Sequence, residues 1–364
     1  MRRSRSGYSG YRGRRTLHDI LKWIAAVLAV LVVLLVAVLL FGQPFIVFTD
    51  GGPRVDLPSL FGGGEAPPEQ PGSISVVVDP EPSQPEEEPT VEEESSPGMA
   101  AVELPVQSVL DGTAAAELEQ AGANALVLRM KDQEGALAWA SGQELAMSLE
   151  LGAPAEVSEA LRQWNAGSVY TVARVCCFRD NTVPYHRNSM ALRASYGNWR
   201  DELGLRWLSP ASPEAQDYLV QLCAELAELG FDEILLECCA FPDRGNLEAI
   251  SWGDMAEPAQ REQTAEEFLT RVRQALEPYE TQLSVQVDEA VLEDGGAAGS
   301  GLTPAVLERC ADRLWLLSEA TAEELAAKLS QAGITGGTQR LVLQTGALAG
   351  QSGTAQAVLE ENQG

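Results

Sequence analysis

Positive charge is scarce in most of this chain. Seven of its 25 lysine and arginine residues lie within the first 22 positions, beside only one of its 53 acidic residues, so 18 basic residues face 52 acidic ones in the remainder. A surface of that sign repels a phosphate backbone at any realistic salt concentration. The charge balance therefore excludes nucleic acid as a partner.

Histidine is almost absent, because His18 and His186 are the only two in 364 residues. The six cysteines include two vicinal pairs on predicted strands, and vicinal residues of a strand point to opposite faces, so neither pair readily holds one metal ion. No Gly-x-Gly-x-x-Gly turn follows a predicted strand, and no Gly-x-Ser-x-Gly motif occurs. These absences disfavour dinucleotide binding and serine-hydrolase chemistry, and we expect no metal and no cofactor.

The vicinal pairs are Cys176-Cys177 and Cys238-Cys239. We expect their strands to be neighbours, and an extracytoplasmic location permits a disulfide that joins Cys176 to Cys239 or Cys177 to Cys238. Free thiols that pack as small apolar groups are the favoured interpretation.

One long apolar run extends from Trp23 to Phe41, nineteen residues without a charge, proline or glycine. As a helix it spans roughly 28 Å, close to the ~30 Å hydrocarbon core of a bilayer. Basic residues precede the run and are rare after it, which places the N-terminus in the cytoplasm and the remainder outside. The alternative is a cleaved signal peptide, but such apolar regions run only ~7 to 15 residues before a small-x-small site. We therefore predict a single-pass anchor in the cell membrane.

Composition divides the chain into five segments. Residues 62–98 hold eight prolines, ten acids and no lysine or arginine, a composition that favours an extended, disordered stalk. The predicted organisation is a basic cytoplasmic tail (1–22), a transmembrane helix (23–41), a membrane-proximal segment (42–61), this acidic linker (62–98) and a folded domain (99–364).

Short β-branched runs alternate with amphipathic stretches throughout the folded domain. The predicted strands are residues 100–104, 125–130, 169–178, 233–238, 282–287, 313–317 and 340–344. One predicted helix begins after Ser212 and ends at Gly230, and another begins after Thr321 with a capping box to Glu324. The alternation favours a (β/α)8 TIM barrel, with an open doubly wound sheet as the alternative. No convincing eighth strand is found, so the barrel is predicted to be incomplete or degenerate.

Ligands of such barrels bind at the C-terminal ends of the strands. The candidate catalytic carboxylates near these ends are Glu237, Asp132, Asp180 and Asp288. The candidate substrate-binding residues are Lys131, Arg174, Trp199 and Trp207. Paired carboxylates are typical of glycosidic cleavage, in which one protonates the leaving oxygen and the other attacks or activates water. Glu237 lies within an apolar stretch, and a buried ion pair with Arg174 is the alternative to a catalytic role.

The segment from Arg179 to Asp201 is polar and carries His186, Tyr185 and Tyr196. Its aromatic side chains are suited to stacking on sugar rings. A self-packed loop that covers the barrel mouth is an equally weighted alternative.

Several motifs carry a resemblance to a known family. They are residues 172–180 (VARVCCFRD), 199–201 (WRD), 204–210 (GLRWLSP), 227–234 (AELGFDEI) and 241–242 (FP). In their order and spacing the chain resembles a bacterial family of glycoside-hydrolase-like domains of unknown function. The resemblance implies a TIM barrel, commonly secreted or membrane-anchored.

Three positions depart from that family's pattern. Arg129 replaces the first carboxylate of an Asp-x-Lys-Asp motif, Ala240 replaces an arginine after the fourth strand, and Gln286 replaces an aspartate on the fifth. The leading hypothesis is an anchored hydrolase of cell-wall polysaccharide, such as peptidoglycan, or of extracellular polysaccharide. The alternatives are a catalytically silent barrel that binds glycan or protein, and a spacer in an envelope complex.

Overall fold

A computed structural model describes residues 46–49, 52–55, 98–293, 299–349 and 353–360. The predicted cytoplasmic tail, the anchor Trp23 to Phe41 and nearly all of the acidic linker lie outside these residues. Within them, no helix combines the length and apolar character needed to span a membrane.

The chain divides into two units, residues 1–89 and 90–364. In the first, strand Ile46–Thr49 pairs antiparallel with strand Gly52–Val55. This hairpin falls in the predicted membrane-proximal segment.

The second unit is built on eight parallel strands that form a closed barrel in chain order. They are β1 (Ala100–Glu103), β2 (Ala125–Lys131), β3 (Tyr170–Cys176), β4 (Glu233–Glu237), β5 (Gln282–Asp288), β6 (Arg313–Leu317), β7 (Leu341–Gln344) and β8 (Ala355–Val358). The prediction of a TIM barrel is confirmed. The expectation of an incomplete barrel is wrong, because β8 pairs with β7 on one side and with β1 on the other.

Helices alternate with the strands and cover the outside of the barrel. They are α1 (Val106–Leu110), α2 (Ala114–Ala121), α3 (Glu144–Ser148), α4 (Ala155–Asn165), α5 (Val183–His186), α6 (Pro213–Glu228), α7 (Pro258–Leu276), α8 (Pro304–Cys310) and α9 (Ala322–Gln331). The Ser212 side chain caps α6 by accepting from the Ala215 amide. The capping box of Thr321 and Glu324 is present at the start of α9, so both predicted helix starts are confirmed.

Successive side chains of each strand point alternately outwards and into the barrel, which produces two apolar cores. The larger lies between the strands and the helices. The smaller fills the barrel interior and consists of Ala101, Ala125, Val127, Val172, Leu235, Trp315, Val342 and Ala357. Small side chains predominate in it, which leaves room for the Trp315 indole.

The N-terminal end of the barrel is closed by contacts to Glu233. Its carboxylate accepts hydrogen bonds from the Tyr170 hydroxyl (2.8 Å), the Arg313 guanidinium (3.0 Å) and the Trp315 indole N–H (2.8 Å). Burial, and then the charge of Glu233, raise the pKa of Tyr170 above its ordinary value. The interior of the barrel is therefore filled at this end.

All six cysteines are free thiols, and neither of the two candidate disulfides is formed. The contact between the vicinal pairs joins Cys176 to Cys238, and this hydrogen bond together with burial raises the pKa of Cys176. Burial raises the pKa of Cys223 and of Cys239 to about 12. These side chains therefore pack as neutral apolar groups, as the favoured interpretation states.

Candidate active site

Four charged side chains from adjacent strands form a row across the mouth of the barrel. Glu103 ends β1, Arg129 lies on β2, Arg174 on β3, and Glu237 ends β4. Arg174 donates to Glu103 Oε2 at 2.5 Å and lies 2.9 Å from each oxygen of Glu237. Arg129 Nε lies 3.1 Å from Glu103 Oε1. Two carboxylates and two guanidinium groups thus balance one another.

The C-terminal part of the chain completes this row. The Glu360 backbone N–H donates to Glu103 Oε2 at 3.0 Å, and its carbonyl accepts from Arg174 and from Arg129. Removal of Arg174 would take away the shared partner of two buried carboxylates, which typically costs about 3 to 5 kcal/mol. The row therefore fixes Glu237 in place.

A cavity of about 280 Å³ opens at the C-terminal ends of β4 and β5. Carboxylates contribute strongly to its lining, which includes Glu237, Asp288, Asp201, Glu202 and Asp243. Arg179, Arg244, Trp207, Phe241 and Gln286 also line it. The cavity therefore brings together two of the four predicted catalytic carboxylates, Glu237 and Asp288.

Glu237 and Asp288 differ in exposure. Glu237 is 5% exposed, whereas the Asp288 side chain is 52% exposed and pairs with Arg244, itself 66% exposed. Ion pairs between exposed side chains contribute little, typically 0 to 1 kcal/mol, and exchange readily with solvent. Asp288 is thus free to turn towards a ligand, and Glu237 is held in a fixed position.

Trp207 forms one wall of the cavity. Its indole N–H donates to Asp201 Oδ2 at 3.0 Å, and Arg179 Nε donates to the same oxygen at 2.7 Å. The Arg179 guanidinium lies 5.8 Å from the Trp207 ring centre. Trp199 packs edge-on behind Trp207 at 6.2 Å, is fully buried and donates to the Asn246 carbonyl. Of the two predicted substrate-binding tryptophans, only Trp207 reaches the cavity.

Lys131 and Asp180 form an ion pair away from the cavity. Lys131 Nζ lies 2.9 Å from Asp180 Oδ2, and both side chains are fully buried. A register shift between Arg129 and Lys131 on β2 changes the face that Lys131 occupies. Burial lowers the pKa of Lys131, but the charge and hydrogen bond of Asp180 together with Cys176 and Tyr218 outweigh it, so the net pKa is raised. Asp180 also accepts from the Thr182 and Val183 amides, which anchors the start of α5.

Asp132 stabilises a turn after β2. Its Oδ1 accepts from the backbone amides of Glu134 and Ala136, each at 2.9 Å. This is the local bonding expected of an aspartate in a loop. Asp132 is not part of the cavity lining, so the structure supplies no contact that supports its predicted catalytic role.

Several residues of the mouth are not among those predicted from the sequence. Glu103 was assigned no role, although it is an acid at the end of the first predicted strand. Asp201, Asp243 and Arg244 lie on loops, where only the fold brings them to the cavity. In the described part of the chain, no group of three or more His, Cys, Asp or Glu side chains is placed to hold a metal ion.

Comparison with known families identifies the domain. Residues 105–299, more than half of the chain, match the model of a family described as "Putative glycosyl hydrolase domain". The chain belongs to this family. The resemblance carried by the sequence motifs is confirmed, and this glycosyl hydrolase domain has the barrel fold that the resemblance implied. No match is found among curated proteins.

Several solved structures are similar to this chain at low identity. A hypothetical protein from Ruminiclostridium thermocellum is 24% identical, with 50% of this chain and 96% of that chain covered and a TM-score of 0.44. The PgaB (BpsB) glycoside hydrolase domain from Bordetella bronchiseptica is 15% identical, with coverage of 68% and 84% and a TM-score of 0.48. A GH20 exo-β-N-acetylglucosaminidase from Vibrio harveyi is 13% identical, with coverage of 68% and 42% and a TM-score of 0.46.

Proposed function

We propose that this glycosyl hydrolase domain cleaves a polysaccharide at the mouth of its barrel, with Glu237 and Asp288 as the catalytic carboxylates. One observation carries the proposal: these side chains, from the ends of paired neighbouring strands, border a single cavity. Membership of the glycosyl hydrolase family supports the reaction class.

The surroundings of the two carboxylates suggest different roles. In its ion pair with Arg174, Glu237 carries the negative charge that a nucleophile or a base for water requires. Asp288 lies at the rim, where it can exchange Arg244 for a substrate and deliver a proton to the glycosidic oxygen. The bond broken is that between the anomeric carbon and this oxygen, and water supplies the hydroxyl group of the new reducing end.

Trp207 supports the proposal as a sugar platform. It lines the same cavity, and its orientation is fixed by Asp201 and by Trp199 behind it. A fixed indole presents a flat apolar face at little cost in side-chain entropy.

The polysaccharide is proposed to belong to the cell wall or extracellular matrix. This follows from the sequence, in which the run 23–41 serves as an anchor and residues 62–98 as a spacer that holds the barrel outside the cell. Protease added to intact cells should then degrade the barrel. Protection of the barrel in intact cells, with digestion after lysis, would contradict this location.

A silent glycan-binding barrel is the second candidate. It is favoured by the two 2.9 Å contacts that hold Glu237 against Arg174 and by the 5% exposure of Glu237. A carboxylate that is enclosed in this way stabilises the mouth of the barrel whether or not a reaction takes place there.

Turnover and binding measurements separate the two candidates. The full-length chain, purified in a non-ionic detergent that contains no sugar, is incubated with a polysaccharide panel that includes peptidoglycan, and new reducing ends are measured. We expect Glu237→Gln to lower kcat by about 10³-fold, because loss of a positioned acid or base costs 10²- to 10⁴-fold. Glu119→Gln, an exposed change on α2, is the matched control.

Each outcome is informative. Equal activity of wild type and Glu237→Gln would remove Glu237 from the mechanism. Binding of a glycan without release of reducing ends would favour the silent barrel.

A further inference from the structure

A second cleft lies on the segment that connects β3 to α6. It has a volume of about 530 Å³ and is lined by Tyr185, Asn188, Arg193, Tyr196, Gly197, Asn198, Arg200 and Arg206. We call it the arginine cleft. It shares no lining residue with the cavity beside Glu237.

The charge of this cleft is opposite to that of the protein. The chain has a net charge of −28, yet the described lining contains three arginines and no aspartate or glutamate. Their guanidinium groups donate to neutral oxygens: Arg193 to Asn198 Oδ1, Arg200 to the Gly204 carbonyl and Arg206 to Asn181 Oδ1. These bonds orient the arginines without neutralising them.

The arginines also act on one another. Burial, and then the charge of Arg200, lower the pKa of Arg206, although Glu134 offsets part of the effect. The part of this pKa shift that Arg200 causes reflects a local positive potential, which a bound anion would relieve. The cleft is thus electrostatically prepared for negative charge.

Two exposed tyrosines complete the lining. Tyr185 and Tyr196 are 60% and 63% exposed, which is unusual for such large rings. The Arg206 guanidinium lies 4.8 Å from the Tyr185 ring centre, so this pair forms a flat, stacked surface. Flat aromatic faces beside arginine forks are suited to sugar rings that carry acidic groups.

A short antiparallel pairing between residues 200 and 206 lies between the arginine cleft and the cavity beside Glu237. Arg200 and Arg206 are partners in an antiparallel bridge, and their chain neighbours Asp201 and Trp207 line the catalytic cavity instead. Neighbouring residues of an extended chain point to opposite faces. One face of this pairing therefore supplies Asp201 and Trp207 to the cavity beside Glu237, and the other face supplies Arg200 and Arg206 to the arginine cleft.

We propose that the arginine cleft is a binding site for an anionic polysaccharide, that is, a glycan chain that bears carboxylate or phosphate groups. The acidic groups pair with Arg193, Arg200 and Arg206, and a sugar ring stacks on Tyr196. The site holds a polymer on the protein independently of cleavage at Glu237, so the proposal stands whether or not the barrel is an active hydrolase.

Direct binding tests the proposal without relying on turnover. The full-length chain in sugar-free non-ionic detergent is titrated with polygalacturonate, with fully methyl-esterified polygalacturonate as a neutral chain of the same backbone, and with poly(glycerol phosphate). We expect the acidic chains to bind, the ester to bind at least about tenfold more weakly, and binding to weaken as salt is raised from 0.15 M to 1 M. A preference between the two acidic chains identifies the source of the negative charge.

Variants locate the site. Arg200→Gln combined with Arg206→Gln should weaken binding by at least about fivefold, since each exposed charge pair contributes modestly. Arg193→Gln combined with Tyr196→Ala, on the exposed hairpin of residues 193–198, should have a similar effect and tests the site if the first variant is unstable. Arg162→Gln on α4, which removes one charge as the second variant does, is the control.

Glu237→Gln should retain full binding, which separates failure of this proposal from failure of the catalytic one. Equal binding of the neutral ester, or unchanged affinity of both double variants, would overturn the assignment of the arginine cleft.

Discussion

Glu233 and Glu237 lie four residues apart on β4, are both buried and are both bound by an arginine. Their surroundings nevertheless differ. Glu233 is enclosed by Tyr170, Arg313 and Trp315 at the filled end of the barrel, whereas Glu237 borders a cavity at the open end.

Burial and ion pairing alone therefore do not identify a functional carboxylate. Both properties are shared by the two residues, and a buried charge must be paired wherever it lies. What distinguishes Glu237 is the adjoining space and the presence of a second carboxylate, Asp288, on the same cavity. Four experiments test this distinction, in order of decreasing expected effect.

The same substitution at both positions should affect stability unequally. In Glu233→Gln, the new amide faces three fixed donors, and we expect a loss of about 3 to 5 kcal/mol in the free energy of unfolding. In Glu237→Gln, the amide can turn towards the cavity and Arg174 keeps Glu103, so the loss should be about 1 to 3 kcal/mol. Urea unfolding of both variants checks the order. Equal losses in the free energy of unfolding would show that the cavity does not reduce the cost of the substitution at Glu237.

Asp288→Asn should show the reverse pattern, with a catalytic effect and little structural effect. In the proposed reaction Asp288 leaves Arg244, takes a proton from solvent and gives it to the glycosidic oxygen, while the proton that the attacking water loses returns to solvent through Glu237; loss of this donor should lower kcat by about 10²-fold. The unfolding free energy should change by less than about 0.5 kcal/mol, because the side chain is half exposed. Reducing-end assays and urea unfolding on one preparation measure both effects. Unchanged kcat would assign the acid role elsewhere, with Asp243 the next candidate.

Trp207→Phe should weaken substrate binding at the open end. The variant keeps an aromatic face but loses the hydrogen bond to Asp201 at 3.0 Å, an interaction worth about 1 kcal/mol. We expect KM to rise about fivefold with kcat nearly unchanged. Trp164→Phe on α4, away from the cavity lining, is the matched control. A fall in kcat alone would mean that Trp207 positions the reacting groups.

Alkaline pH should affect the filled end of the barrel through Tyr170. Burial and Glu233 raise its folded-state pKa above the unfolded value. Its contribution to stability is therefore complete below a pH of about 10 and is lost as the pH rises above that value. The melting temperature should fall as the pH rises from about 10 to about 12, and the fall should be smaller in Tyr170→Phe. An identical fall would leave the alkaline loss to other groups, such as Tyr218 and the buried thiols.

Local sequence patterns were sufficient for most of the barrel. Seven strands follow from short apolar runs, and two helix starts follow from Ser212 and Thr321. Strand β8 was missed because Ala355–Val358 (AQAV) contains no run of large apolar residues, so its strand conformation depends on pairing with β7 and β1. Such pairing between distant segments has no local signal.

The site was predictable only in part, for a related reason. Glu237 is recognisable as a charge in an apolar run, and its pairing with Arg174 follows from neighbouring strands. The placement of Lys131 depends on the register shift in β2, which the apolar pattern does not reveal. Without that shift, simple alternation would turn Lys131 to the same face as Arg129.

Closure of the ring through Ala100 and Gln356 has a consequence for biosynthesis. The first strand of the barrel is made early and must wait for the last one before its free edge is covered. Glu360 follows that last strand, so the charges it joins stay unassembled until this segment has been made. A chain that lacks residues 355–360 should therefore leave the edge of the first strand uncovered and the row of charges at the mouth incomplete.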